Sequence, residues 1–190
     1  LPYLRAWSEK YRDNGLVVIG AHSPEFPFEH DLDKIRSALE AMGVDYPIAV
    51  DNDFEVWRAF DNAFWPALYF VDADGRIRHH HFGEEDYERS ERVIQQLLAQ
   101  AGHTDVDDDL VSIVPGGVYL GADWERLGSP ETYVGYARAT GFASPGGLKA
   151  DRRRVYVQPR RLILNQWALS GDWTVQPQLA TLNQPGGRIM

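Results

Sequence analysis

Residues Leu16-Val17-Val18-Ile19-Gly20-Ala21 form an unbroken apolar run of strand length, and it restricts the fold more than any other feature. A half-exposed strand alternates apolar and polar residues. A continuous run suits a strand covered on both faces, as in a parallel sheet flanked by helices. The flanking sequence agrees. Before the run, Leu1, Leu4, Trp7 or Ser8, and Tyr11 recur at helical spacing, and Asn14-Gly15 is a helix stop. After it comes His22, a Pro-containing loop over 23–30, and a second helical stripe of Leu32, Ile35, Leu39 and Met42 ended by Gly43.

The same alternation continues. Residues 47–50 read as a short strand and 53–60 as a short helix showing Phe54, Trp57 and Phe60. Residues 66–72 read as an apolar strand, Ala73-Asp74-Gly75 as a hairpin turn, and 76–82 as the returning strand. A last helix over 86–101 turns Tyr87, Ile94, Leu97, Leu98 and Ala101 inward. This order predicts an α/β domain over 1–101, with its first strands parallel and the hairpin at one edge.

The character then changes. Residues 102–130 carry an acidic stretch and many Gly and Pro, which predicts a linker. Short strands are expected over 133–140, 154–157, 162–168 and 173–182, separated by turn residues. They predict a partial β-sandwich over 131–190, since such domains typically run to about 100 residues.

Charge follows the same division. Residues 1–101 hold 10 Lys+Arg and 19 Asp+Glu, net −9, whereas 102–190 hold 9 of each. An acidic first domain argues against nucleic acid as a partner. No apolar run approaches the roughly 20 residues of a membrane helix. There is no cysteine, so these residues form no disulfide, bind no metal through thiolate and carry no catalytic thiol.

Several motifs have a plain and a sharper reading. Asp105, Asp107 and Asp109 begin like a calcium loop, but the required Gly is Leu110 and the required Glu is Gly116. His79 and His81 share a strand face opposite His80, yet two imidazoles without a carboxylate motif are an incomplete metal set, so a polar edge strand is expected. Arg152-Arg153-Arg154 and Arg160-Arg161 offer an anion site or a solvated loop. Trp167 and Trp173 offer a sugar-stacking face or core packing. Trp65-Pro66 starts a strand, where Pro forfeits no ladder bond; the sharper reading is a cis peptide.

Four stretches together, LPYL at 1–4, LVVIGAHSPE at 16–25, YPIAVD at 46–51 and WPALYFVDADG at 65–75, resemble the thioredoxin superfamily. More narrowly, they are similar to the TlpA/DipZ-like extracytoplasmic thioredoxin domains of bacteria. SPETY at 129–133 and NQWALSG at 165–171 resemble the module that follows such domains, a β-sandwich similar to carbohydrate-binding modules.

The resemblance implies a thioredoxin-like fold lacking its first strand over 1–101. Pro2 matches the proline that follows the family's C-x-x-C, which places the redox pair just upstream of Leu1 and makes this chain a fragment, inactive by itself. Pro66 matches the cis-proline facing that pair, and the backbone of Trp65 would pair with an extended substrate. His22, Ser23 and Glu25 would border the same site with Trp65. A helix N-terminus lowers the pKa of such a cysteine, and exchange runs through a mixed disulfide.

The implied parent is an extracytoplasmic, membrane-tethered thiol–disulfide oxidoreductase, acting on protein thiols and disulfides and linked to cytochrome c maturation. It needs no metal or cofactor. A membrane electron-transfer partner and a glycan held by the second module complete the implied partners. Two other readings stay open: a cysteine-free thioredoxin-like protein that binds polypeptides, and a carbohydrate- or cell-wall-binding module.

Overall fold

In a computed structural model, which describes residues 2–113 and 128–190, the first apolar stripe folds as α1 (Pro2–Tyr11). Pro at the first helical turn gives up no intrahelical hydrogen bond. The chain divides into two units, Leu1–Gly121 and Ala122–Met190.

In the first unit, α1 buries Trp7, Ser8 and Tyr11. The last helix, α4 (Tyr87–Gln100), buries Ser90, Glu91, Ile94, Gln95 and Leu98. Trp7, Tyr11, Ile94 and Leu98 close around Phe70 of β3 (Ala67–Val71), with Leu4, Leu68, Tyr87 and Leu97 at the margin. Tyr3 stacks on Tyr87 at 4.1 Å and 6°. Ala101, expected inward, is exposed at the end of α4.

β3 pairs antiparallel with β4 (Ile77–Phe82), Ala67 opposite Phe82 and Phe70 opposite His79. The hairpin forms as expected because Asp72 Oδ1 accepts from the N–H of Asp74 at 3.0 Å and of Arg76 at 2.9 Å, while Gly75 takes φ +80°. β1 (Gly20–His22) runs parallel to β2 (Ile48–Val50), in register from Gly20↔Ile48 to His22↔Val50. Between them lie a 3-10 turn (Pro27–His30) and α2 (Leu32–Ala41), capped by the Asp31 carboxylate on the N–H groups of Asp33 and Lys34. The short α3 (Glu55–Ala59) follows β2.

Two expectations are corrected here. The 16–21 run is not covered on both faces: Leu16 and Val18 are half-buried, but Val17 and Ile19 are 73% and 68% exposed. Nor is the run one strand: β1 begins only at Gly20, and of the residues before it Leu16 packs on the core cluster. The hairpin also does not extend the β1–β2 ladder. Among the described residues, β1 pairs with β2 and β3 with β4, as two separate two-stranded sheets.

Residues 103–111, expected to belong to a linker, lie along α1 and α4. Val106 and Val111 pack against the core cluster. The buried Glu91 carboxylate accepts from the N–H of Val111 at 3.0 Å on both oxygens and from Tyr11 Oη at 2.7 Å. Gln95 gives its amide N–H groups to Tyr11 Oη and to the carbonyls of Asp107 and Asp109. Lys10 reaches the Asp109 carbonyl and the Asp107 carboxylate. Burial and then the Glu91 hydrogen bond push the Tyr11 phenol above its ordinary pKa.

In the second unit, β5 (Arg153–Tyr156), β6 (Leu169–Val175), β7 (Ala180–Leu182) and β8 (Arg188–Ile189) form one antiparallel sheet with β6 at its centre. Tyr156, Trp167, Leu169, Trp173 and Val175 make its core. Ser144 Oγ donates to the Leu169 carbonyl and accepts from the Leu169 N–H, both at 2.9 Å. The expected strands over 133–140 and 162–168 are loops and turns. The first lies against residues 176–178, with the N–H groups of Tyr136 and Ala137 given to the Gln176 and Pro177 carbonyls at 3.0 and 2.9 Å. These two bonds do not continue into a ladder. The backbones approach so closely that a Cβ at Gly135 would lie 2.4 Å from Gln178. The expected strand over 173–182 is a β6–β7 hairpin instead.

Candidate functional site

The carboxyl ends of the parallel strands gather most of the residues expected to matter. β1 ends at His22, whose Nε2 donates to the Glu29 carbonyl at 3.0 Å. Ser23 follows, and its Oγ donates to Asp51 Oδ2 at 2.7 Å, just past the end of β2. Across from these, the Trp65 indole N–H donates to the Ser23 carbonyl at 3.1 Å. Trp65 precedes β3, and the Trp65–Pro66 peptide is cis. The Pro66 carbonyl accepts from the Gly83 N–H at 2.8 Å, which ties it to the end of β4. Of these four residues, Ser23 and Trp65 are bonded to each other. His22 joins them through Asp51, whose N–H donates to the His22 carbonyl at 2.9 Å, and Pro66 adjoins as the residue after Trp65.

Glu25 is exposed, and its backbone N–H donates to Glu29 Oε2 at 2.7 Å. This bond ties its backbone to the 3-10 turn.

Asp51 organises the junction, although sequence reasoning gave it no role. It is buried, and its carboxylate accepts from Ser23 Oγ and from the N–H groups of Val56 and Trp57 at 2.9 Å each. Burial works to raise its pKa, but these donors outweigh that and hold it below the ordinary carboxylate value. It stays ionised at neutral pH, with its oxygens engaged by these three donors. The available signal was an Asp ending a strand just before a short helix.

Trp65 is 49% exposed and lies 4.2 Å, centroid to centroid, from Trp57. Phe64 beside it is also exposed and stacks on Phe82 at 4.8 Å. Without a cysteine, the junction is a half-apolar platform beside the edge of β3 that, among the described residues, pairs with no other strand. Such a platform suits contact with an extended polypeptide. The amino end of α1 packs into the same core as Leu68, two residues past Pro66.

Other candidates resolve simply. Among the described residues, no three His, Cys, Asp or Glu side chains are grouped to hold a metal. His79 faces Phe70; burial, then the Arg89 charge, lowers its pKa. The acidic residues 105, 107 and 109 offer their carbonyls to Asn14, Gln95 and Lys10. Arg153 forks onto Asp172, and Arg154 donates to the carbonyls of Pro145, Gly146 and Gly147. Trp167 and Trp173, 4% and 6% exposed, are core residues with indole N–H groups given to the Thr140 and Ser170 carbonyls at 2.8 Å. Neither ring offers a face to a sugar, which corrects the sugar-stacking reading.

Two helices packed on one face of a cis-proline hairpin, beside a parallel strand pair, define a thioredoxin-like domain. The redoxin family model matches residues 1–98, and the chain belongs to that family. A model described as a thioredoxin-like C-terminal domain matches residues 129–190.

Among relatives, protein DipZ of Mycobacterium bovis is 34% identical over 182 residues, 95% of this chain and 25% of that protein. The thiol-disulfide oxidoreductase YkuV of Bacillus subtilis is 30% identical over 100 residues, 53% of this chain and 67% of that protein. A solved thioredoxin-like protein in its oxidised form superposes with a TM-score of 0.48 at 30% identity, covering 52% of this chain and 66% of that one. The chain spans about a quarter of the length of its DipZ relatives.

Proposed function

We propose that this chain is the substrate-contacting part of an extracytoplasmic thiol–disulfide oxidoreductase, whose redox cysteines are carried on sequence N-terminal to Pro2. The observation that carries the reading is the bond from the Trp65 indole to the Ser23 carbonyl. It holds a half-exposed aromatic residue at the start of β3, where a substrate strand would lie along the Trp65 backbone with Pro66 against its cysteine. His22 and Ser23 form the wall of that contact, and Glu25 its acidic rim. The whole protein would exchange disulfides with exported proteins, among them apocytochromes c, and take electrons from a membrane partner.

The test is insulin reduction by the whole protein. It should proceed, and should stop when either cysteine of the N-terminal pair becomes serine. Trp65→Ala should weaken turnover of protein disulfides more than that of a small disulfide such as oxidised glutathione. A whole protein without a cysteine pair before Pro2 would overturn the reading and leave a polypeptide-binding domain in its place.

A further inference from the structure

The neutral balance of 102–190 conceals a basic unit. Residues 129–190 hold eight Arg and Lys against three Asp and Glu, net +5. Between Asp151 and Asp172 there are five arginines and no carboxylate. Arg153 and Arg154 are held by Asp172 and by backbone carbonyls. Arg152, Arg160 and Arg161 are exposed, and among the described residues no carboxylate pairs with Arg160 or Arg161.

Next to this pair stands an unusual turn. Ile163 and Leu164 are 58% and 82% exposed. The turn is built rather than loose. The Gln166 N–H donates to the Ile163 carbonyl at 3.0 Å, and the Ile163 N–H donates to Gln166 Oε1 at 3.2 Å. Asn165 takes φ +65°, a conformation Asn tolerates. The buried Trp167 then fixes the base: its backbone N–H donates to the Gly141 carbonyl and its own carbonyl accepts from Ala143. Val157 on the other side of the arginines is exposed as well.

We propose that this turn docks the second unit on an anionic lipid surface, with Ile163 and Leu164 entering the interface and Arg160 and Arg161 at the headgroup phosphates. Aliphatic side chains on a convex tip gain by leaving water for hydrocarbon, and adjacent guanidiniums gain from anionic headgroups. A nucleic-acid site would instead call for exposed aromatic rings among the arginines. The aromatic residues that flank this segment in the sequence, Tyr156 and Trp167, are buried.

The experiment is sedimentation of the 190-residue chain with vesicles of phosphatidylcholine alone or with about 30 mol% phosphatidylglycerol. Binding is expected to the mixed vesicles only and should fall as salt rises from about 0.05 to about 0.5 M. Arg160→Gln and Arg161→Gln should each weaken it about fivefold, and Leu164→Ser about tenfold. Leu164→Trp should keep binding, and its added emission should shift to the blue and be quenched by brominated acyl chains.

No binding to the anionic vesicles overturns the proposal. So does binding that Leu164→Ser leaves unchanged, or added emission from the Leu164→Trp chain that bromine does not quench. Tighter binding to heparin or single-stranded DNA than to vesicles would also overturn it, in favour of a polyanion site.

Discussion

The Ser23 hydroxyl donates to Asp51 Oδ2 at 2.7 Å, and with the Asp51 N–H given to the His22 carbonyl at 2.9 Å this bond ties the loop after β1 to the end of β2. Asp51 also holds the first amides of α3. Asp51→Ala would leave three donors unmet and should destabilise the first unit by about 3 kcal/mol, against about 1 kcal/mol for Ser23→Ala. Urea unfolding followed by tryptophan fluorescence measures both.

The same carboxylate predicts a pH dependence. Its folded pKa lies below the unfolded value, so its contribution is complete above about pH 4 and is lost as pH falls through the folded pKa. The stability gap between the parent chain and Asp51→Asn should therefore be constant from neutral pH down to about 5 and shrink below about 4. A gap that widened on acidification would contradict the assignment.

Glu91 is buried and bonded to Tyr11 Oη and the Val111 N–H. Glu91→Ala should cost about 3 kcal/mol. It should also speed hydrogen exchange at the Val111 amide by at least about tenfold, a local effect that general loss of packing elsewhere would not single out.

Trp167 is a core residue of the second unit. Trp167→Ala should cost that unit about 3–5 kcal/mol and abolish its near-ultraviolet circular dichroism. A stable Trp167→Ala chain with unchanged spectra would mean that the ring lies outside the core.

Gly141 has φ +71°, and a Cβ there would come 2.3 Å from the Asn165 carbonyl oxygen. Gly141→Ala should therefore destabilise the second unit by about 2 kcal/mol or more, through strain and displacement of the 163–166 turn. Thermal unfolding of the two chains compares them directly.

Local signals recovered much of the first unit. Helical stripes placed α1, α2 and α4, and Ala73-Asp74-Gly75 marked the hairpin, because each depends on residues close in sequence. What failed depended on distant partners. The 16–21 run looked two-sided, but side-chain type does not reveal whether a second layer is present over Val17 and Ile19. Residues 133–140 were expected as a strand, yet they turn after Gly135, where the chain meets the backbone of Gln178. At the site, His22, Ser23, Trp65 and Pro66 were singled out by the resemblance to the thioredoxin superfamily, not by any local signal of their own. Asp51 and Glu91 were missed because carboxylates are expected on the surface, and their donors come from up to 80 residues away.

The clasp of Glu91 on Val111 also decides how the first unit bears load. A pull arriving along the chain from residue 113 meets the fold at Val111, whose N–H is held by the middle of α4. The carboxyl end of that helix, at Gln100, is shielded from the tension. Such a pull would first load the bonds that hold residues 103–111 to α1 and α4, in the manner of a mechanical fuse ahead of the helix.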